Sequence, residues 1–322
     1  IKNLGYDWPG LHDEIRCKVN ICPKCQLNKA TYGKATKMPM ALVDIPETPF
    51  HKIALDIVGP LPKTLNNNVV ILTVRCLFTK FTFAIPLPNA EAETIASALI
   101  NEIFLNFGFP KIILTDQGSN FMSKLFKNFC KMLNIKKVNT TAFRPQTNGS
   151  VERFHRSLNE YLKNFTTEKN WDSFLKYATF AYNSTKNNTT KFSPFYLIFG
   201  RHPLMPTAIK LPPNKVFYTE NDYVAELKQN LQFAYAQATK NIKISQIKNK
   251  IAYDRNAKQN VFTQGELVKL RVEGVRQGRS KHLQPQFLGP YIIMEKINEY
   301  NYKIKMGRKN DVVHVDRLVK YY

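Results

Sequence analysis

Acidic residues and cysteines are both scarce in this sequence, and no long apolar run interrupts it. The 24 Asp and Glu stand against 47 Lys and Arg, a formal charge of +23. That excess argues against cationic partners and makes a polyanion with a dense row of phosphates, nucleic acid above all, the natural electrostatic complement. Five cysteines spread over 322 residues are an odd number and do not make a secreted disulfide framework. No apolar leader precedes them, so the expectation is a reducing compartment. Apolar stretches such as Ile112-Ile113-Leu114 and residues 196–199 fall far short of the roughly 20 residues needed to cross a bilayer. The reading is a soluble chain with no membrane partner. Asn183-Ser184-Thr185 and Asn188-Thr189-Thr190 match the glycosylation pattern, but without an export signal they read as surface polar residues.

What is present is enough apolar material, 43% of 322 residues, for two or three domains with real cores. Residues 1–37 carry Trp8-Pro9-Gly10, an amphipathic stretch through Ile15 and Val19, and Cys22-Pro23-Lys24-Cys25, which together read as a small helical module. Pro39, Pro46 and Pro49 suppress regular structure over 38–49, as expected of a linker. From 50 to 206 apolar runs alternate with helical periodicity, the pattern of an α/β domain. Strands are expected at 51–58, 69–76, 81–87, 111–115 and 138–141. Helices are expected at 90–107, at 121–133 with Leu125, Phe129 and Met132 on one side, at 151–165 with Phe154, Leu158, Tyr161 and Leu162 on an apolar face, and at 171–182. The run Phe143-Arg144-Pro145-Gln146-Thr147-Asn148-Gly149-Ser150 is rich in turn formers and reads as a loop. Residues 207–260 read as a helical connector, and 261–322 as a small barrel of short strands. The basic excess is strongest late in the chain, where 240–322 hold 18 Lys and Arg against 7 acids.

Three acids lie where strands or helices could deliver them to a common edge. Asp56 is inside Ile53-Ala54-Leu55-Asp56-Ile57, Asp116 ends the expected strand at 111–115, and Glu152 opens the expected helix at 151–165. A charge in an apolar strand carries a desolvation cost unless something compensates it, and a divalent cation does so well. Phosphodiester attack needs a nucleophile activated near neutral pH and a leaving oxygen whose charge is neutralised, and two Mg²⁺ or Mn²⁺ ions about 4 Å apart serve both needs. Each acid also has an ordinary reading. Asp56 could be satisfied by backbone donors, Asp116 could be a turn former before Gln117-Gly118, and Glu152 could stabilise a helix start or pair with Arg156.

Joint spacing separates these readings. With 59 residues between Asp56 and Asp116 and 35 between Asp116 and Glu152, the set resembles the Asp-Asp-Glu pattern of retroviral and retrotransposon integrases. Leu114-Thr115-Asp116-Gln117-Gly118-Ser119-Asn120-Phe121 and the stretch from Phe143 through Glu152-Arg153 resemble the gypsy-type versions. So do Trp8-Pro9-Gly10, Cys22-Pro23-Lys24-Cys25-Gln26, Ser193-Pro194-Phe195 and Gly200-Arg201-His202-Pro203. The resemblance implies a ribonuclease-H-like core, processing of the 3′ ends of element DNA, and strand transfer into target DNA in the nucleus by a homo-oligomer. It further implies that Asn120, Gln146, Asn148 and Arg156 contact DNA, with Gln146 and Asn148 in a flexible loop.

The family completes the Cys22 and Cys25 pair with two histidines upstream to hold Zn²⁺. Here His12 is the only nearby histidine, at a position the family does not use, so the expectation is a truncated N-terminal zinc-binding module with an incomplete site. Cys17 reads as a helix-face residue, and Cys76 and Cys130 as small core residues. Gly265-Glu266-Leu267-Val268, Phe287-Leu288-Gly289-Pro290-Tyr291 and Val313-His314-Val315-Asp316-Arg317-Leu318 resemble the family's C-terminal SH3-like or chromo-like barrel, which would bind DNA by charge or touch chromatin. Lys269, Arg271, Arg276, Arg279 and Lys281 form a basic cluster suited to phosphates, or simply a solvated face. The competing reading of the whole is a catalytically silent or host-adopted derivative that binds DNA without joining it.

Overall fold

The computed structural model describes residues 5, 8–28, 38–40, 42–139, 145–167, 169–204, 220–255, 257, 260–272, 284–307 and 309–322, with side chains at all of these except 145–152 and 220–223. Two compact units divide the chain, Leu42–Lys248 and a second that joins Ile1–Ala41 to Asn249–Tyr322. The first helices are α1 (Leu11–Ile21) and α2 (Pro23–Asn28). Gly10, with φ of 86°, precedes α1.

The larger unit is built on a five-stranded sheet ordered β3-β2-β1-β4-β5. Its strands are β1 (Lys52–Val58), β2 (Val70–Cys76), β3 (Thr82–Leu87), β4 (Ile112–Thr115) and β5 (Lys136–Asn139). The first three form the expected antiparallel meander, and β4 and β5 join in parallel. The last strand begins two residues earlier than expected. Alternation of side chains assigns the faces. Ile53, Leu55, Leu72, Val74 and Ile113 enter the main core, whereas Ile71 and Ala84 pack on the opposite face with Phe154, Leu158, Leu162, Trp171 and Leu175.

The expected helix at 90–107 is continuous but not uniform. It runs as α3 (Ala92–Ala98), a π-helical stretch at Leu99–Phe104, and α4 (Leu105–Phe107). The wider turn places Leu99, Ile103 and Phe104 all in the core, each at most 1% exposed. After α5 (Ser119–Met122), α6 (Lys124–Met132) starts at Ser123, whose hydroxyl accepts from Phe126 N at 3.2 Å, an N-cap. Of the apolar residues expected on one side of this helix, Phe129 packs against the main core. Phe126 and Cys130 are buried while Leu125 and Met132 are exposed, because the i, i+4 pair Phe126 and Cys130 faces the main core together with Phe121.

Helix α7 (Pro145–Phe165) begins six residues before the expected start, so Gln146 and Asn148 lie on a helix and not in a loop. Pro145 is well suited to the first helical position, where its fixed φ fits and no N–H is needed. The residues expected on the apolar face of α7 pack inward. Helix α8 (Trp171–Ser184) comes next. Its Asn183 is buried, donating to Thr82 O and accepting from Thr82 N, each at 2.9 Å. The surface reading of Asn183 is therefore overturned, since its amide satisfies backbone groups of edge strand β3. Helix α9 (Pro194–Phe199) is capped by Ser193 and ended by Gly200. Helix α10 (Glu220–Asp254) does more than connect, because Ala234 and Ala238 pack on Leu197 and Ile242 enters the main core.

The smaller unit holds a second five-stranded antiparallel sheet, ordered β10-β6-β7-β8-β9. Its strands are β6 (Leu267–Arg271), β7 (Phe287–Lys296), β8 (Asn301–Met306), β9 (Lys309–His314) and β10 (Leu318–Lys320). Gly289, with φ of 139°, lets β7 pass close to β6, where a Cβ would meet Val268 O at 3.0 Å. The N-terminal helices belong to this unit through Gln26, which is 1% exposed. Its Oε1 accepts from Tyr322 N at 2.9 Å and its carbonyl accepts from Lys269 Nζ at 3.0 Å.

Candidate active site

Strand pairing brings two of the three acids together. Parallel strands β1 and β4 pair Ala54 with Leu114, and Asp56 and Asp116 each lie two residues further along. Same-face side chains recur every two residues and neighbouring strands are about 4.8 Å apart, so both carboxylates emerge side by side at the C-terminal edge of the sheet. This is the face that α7 covers, since Ile71, opposite Val58 in the β1–β2 ladder, packs on Phe154.

Local bonds fix each acid. Asp56 Oδ1 accepts from Ile57 N at 2.9 Å, and the Asp56 carbonyl accepts from the Thr73 hydroxyl at 3.1 Å. Asp116 Oδ1 accepts from Gly118 N at 3.0 Å, so the turn-former reading of Asp116 is also correct and coexists with its place at the edge. Gly118 leaves room for this, because a Cβ there would meet the same oxygen at 3.0 Å. Glu152 lies eight residues into the helical span of α7, and its side chain is outside the described residues. Helical spacing puts Asn148, Glu152 and Arg156 on one stripe, and Arg156 is exposed.

Four neighbours of the acids escaped sequence reasoning. His155 Nδ1 is 3.9 Å from Asp56 Oδ2, and its Nε2 is 2.9 Å from Thr73 Oγ1. Burial and the nearby Arg75 guanidinium push the imidazole down to about 4, so at neutral pH this is an uncharged ring beside a carboxylate and not an ion pair. Arg75 is itself buried, its pKa lowered by desolvation. It donates to Tyr182 Oη at 2.8 Å, while its Nε and Nη1 have no partner among the described residues. Lys137, on β5, donates to Asn139 Oδ1. Desolvation lowers its pKa, and Cys130 and Asp116 oppose the shift. Only His155 had a sequence signal, its place three residues after Glu152.

The donor set suits a hard divalent cation, two adjacent carboxylates with a third acid on a helix over the same face. Among the described residues no three His, Cys, Asp or Glu side chains gather into a metal-sized group, and Glu152 lies outside that description. Zinc does not fit. Cys22 and Cys25 do face each other, and hydrogen bonds from the Cys25 backbone and thiol lower the Cys22 pKa, but no third or fourth ligand joins them among the described residues.

The remaining expected DNA contacts divide. Asn120 is half-buried on α5, its Oδ1 accepting from Ser119 Oγ at 3.2 Å. Arg271 is exposed at the end of β6. Lys269 points inward and is 1% exposed, its ammonium held by Gln26 O and lying 5.0 Å from the Phe287 ring centroid. It is a structural cation of the barrel, which overturns its assignment to phosphate. Arg276, Arg279, Lys281 and the side chains of Gln146 and Asn148 lie outside the described residues.

Comparison with known proteins agrees with this geometry. Residues 46–145 match the integrase core domain family, and residues 265–322 match a Tf2-1-like SH3 domain. The retrovirus-related Pol polyprotein from transposon 412 of Drosophila melanogaster is 36% identical over 322 residues, covering 98% of this chain and 25% of that protein. The transposon Tf2-3 polyprotein of Schizosaccharomyces pombe is 24% identical over 328 residues, covering 98% and 24%. The chain thus spans about a quarter of the length of these relatives. The fold of one chain in the cryo-EM structure of a simian T-cell lymphotropic virus intasome in complex with PP2A regulatory subunit B56 gamma also matches, with TM-score 0.56, 16% identity, and 97% and 93% of the two chains covered. The chain thus carries a ribonuclease-H-like integrase core domain match at 46–145 and an SH3-like domain match at 265–322, and over nearly its whole length it is similar to part of retrotransposon polyproteins.

Proposed function

We propose that this chain is a retrotransposon integrase, a metal-dependent polynucleotidyl transferase that processes the 3′ ends of element DNA and joins them to target DNA. The observation that carries the reading is the register of β1 and β4, which delivers Asp56 and Asp116 to one edge beneath the helix that bears Glu152. Asp56, Asp116 and Glu152 would hold divalent cations, which when bound would activate the attacking oxygen and neutralise the leaving one. The chain's own contribution is position. Gly118 N–H orients the Asp116 carboxylate, the Thr73 hydroxyl holds the Asp56 backbone, and the exposed Arg156 on α7 is offered to the DNA strand, with Gln146 and Asn148 as further proposed contacts. No protein nucleophile takes part, because water attacks in processing and a DNA 3′ hydroxyl attacks in joining.

The partners this chemistry requires are double-stranded DNA of the element and target and further copies of this chain to hold two DNA ends, with chromatin as a candidate ligand of the barrel. The nucleus is the place of action. The test is incubation of the full chain with a short element-end duplex and a plasmid in Mg²⁺ or Mn²⁺. Joined product supports the reading. Cleavage without joining would make the chain a nuclease of the same fold, and binding with neither would make it the silent derivative.

A further inference from the structure

Helix α7 carries Glu152 and strand β1 carries Asp56, so the two acids can share metal ions only if helix and strand keep a fixed separation. Phe154 and Leu158, 1% and 2% exposed, seat the helix on Ile71 and Ala84. Apolar packing of this kind has no direction and tolerates small sliding. A directional contact is supplied one residue from Phe154. His155 reaches Thr73 Oγ1 at 2.9 Å, and Thr73 lies directly opposite Asp56 in the β1–β2 ladder. The same hydroxyl is 3.1 Å from the Asp56 carbonyl, and the other imidazole nitrogen is 3.9 Å from the Asp56 carboxylate. One threonine hydroxyl and one imidazole therefore join the helix of the third acid to the backbone of the first.

We propose that His155 and Thr73 act as a pair of positioning residues that set the separation of Asp56 from Glu152 and so the affinity of the site for divalent metal. The proposal rests on the reading of Asp56 as a metal ligand. Its physical basis is that carboxylate ligands must be held to within about 0.5 Å, and that groups orienting ligands govern affinity nearly as strongly as the ligands do.

Mn²⁺ binding to the full chain, measured by titration calorimetry without DNA, tests the pair. Thermal unfolding of each variant serves as the check on folding. His155→Ala and Thr73→Val should each weaken Mn²⁺ by about tenfold or more, Thr73→Ser should stay within about twofold of wild type, and the His155→Ala/Thr73→Val double variant should be no weaker than either alone. Thr73→Val keeps the shape of the side chain, so it decides the matter even if His155→Ala fails to fold. Wild-type Mn²⁺ affinity in folded Thr73→Val, with uptake lost in Asp56→Asn, would overturn the positioning role alone. Unchanged uptake in Asp56→Asn would overturn the metal-ligand reading and this proposal with it.

Discussion

Single residues in this protein do their work through contacts between backbone and side chain. Gly118 is an example, since its N–H fixes Asp116 Oδ1 at 3.0 Å and a Cβ would press on that same oxygen. Gly118→Ala is expected to lower joining activity by about tenfold while leaving DNA affinity unchanged, because a displacement of a few tenths of an ångström at a metal ligand is costly. Equal activity in a gel-based joining assay would mean that the turn adjusts. Asp172 holds another segment. Burial raises the pKa of its carboxyl, but hydrogen bonds from Asn68, Thr64, Asn66 and Ser173 N outweigh this and bring it below the ordinary value. A depressed folded-state pKa contributes stability that is present above the unfolded value, about 3.9, and is lost as pH falls through the folded one. Unfolding midpoints measured from pH 7 to 3 should thus fall in acid for wild type. In Asp172→Asn they should start lower and fall less, and parallel curves would contradict the assignment.

Among the elements, α7 has the most riding on its packing. Phe154, 1% exposed, meets Tyr182 edge-on at a centroid distance of 5.0 Å. Phe154→Ala should destabilise the larger unit by about 3–5 kcal/mol, read as a lower denaturation midpoint, and a change within error would place the helix's anchor elsewhere. The inward face of α7 was legible in the sequence because Phe154, Leu158 and Leu162 repeat at helical spacing. On α6 the same spacing groups Leu125, Phe129 and Met132, of which Phe129 meets the main core, while the position of that core also selects Phe126 and Cys130. The start of α7 was hidden because Pro145 and Gly149 are ordinary loop residues, helical here only as the first turns of a helix whose apolar face begins at Phe154. Asp56 and Asp116 could be picked from motif and spacing. His155 had only its spacing from Glu152 as a signal, and Thr73 and Arg75 had none, since their nearness to Asp56 comes from strand register and helix docking, which spacing along the chain does not encode.

Over the whole molecule the formal +23 predicts DNA binding that weakens steeply with salt, but individual cations differ in what they contribute. Arg271 is exposed, and Arg271→Gln is expected to reduce the slope of log affinity against log salt by about 0.9. Lys269 is buried against Gln26 and Phe287, so Lys269→Met should leave that slope unchanged and lower the melting temperature. The reverse result for the two residues would turn the barrel's DNA face around. The central claim is that Asp56, Asp116 and Glu152 form one metal site that joins DNA, and Asp116→Asn in the full chain tests it most directly. The substitution keeps shape and removes a ligand charge. Strand transfer in Mg²⁺ is predicted to fall to background with DNA affinity intact, and joining at the wild-type rate by the asparagine variant would contradict the account.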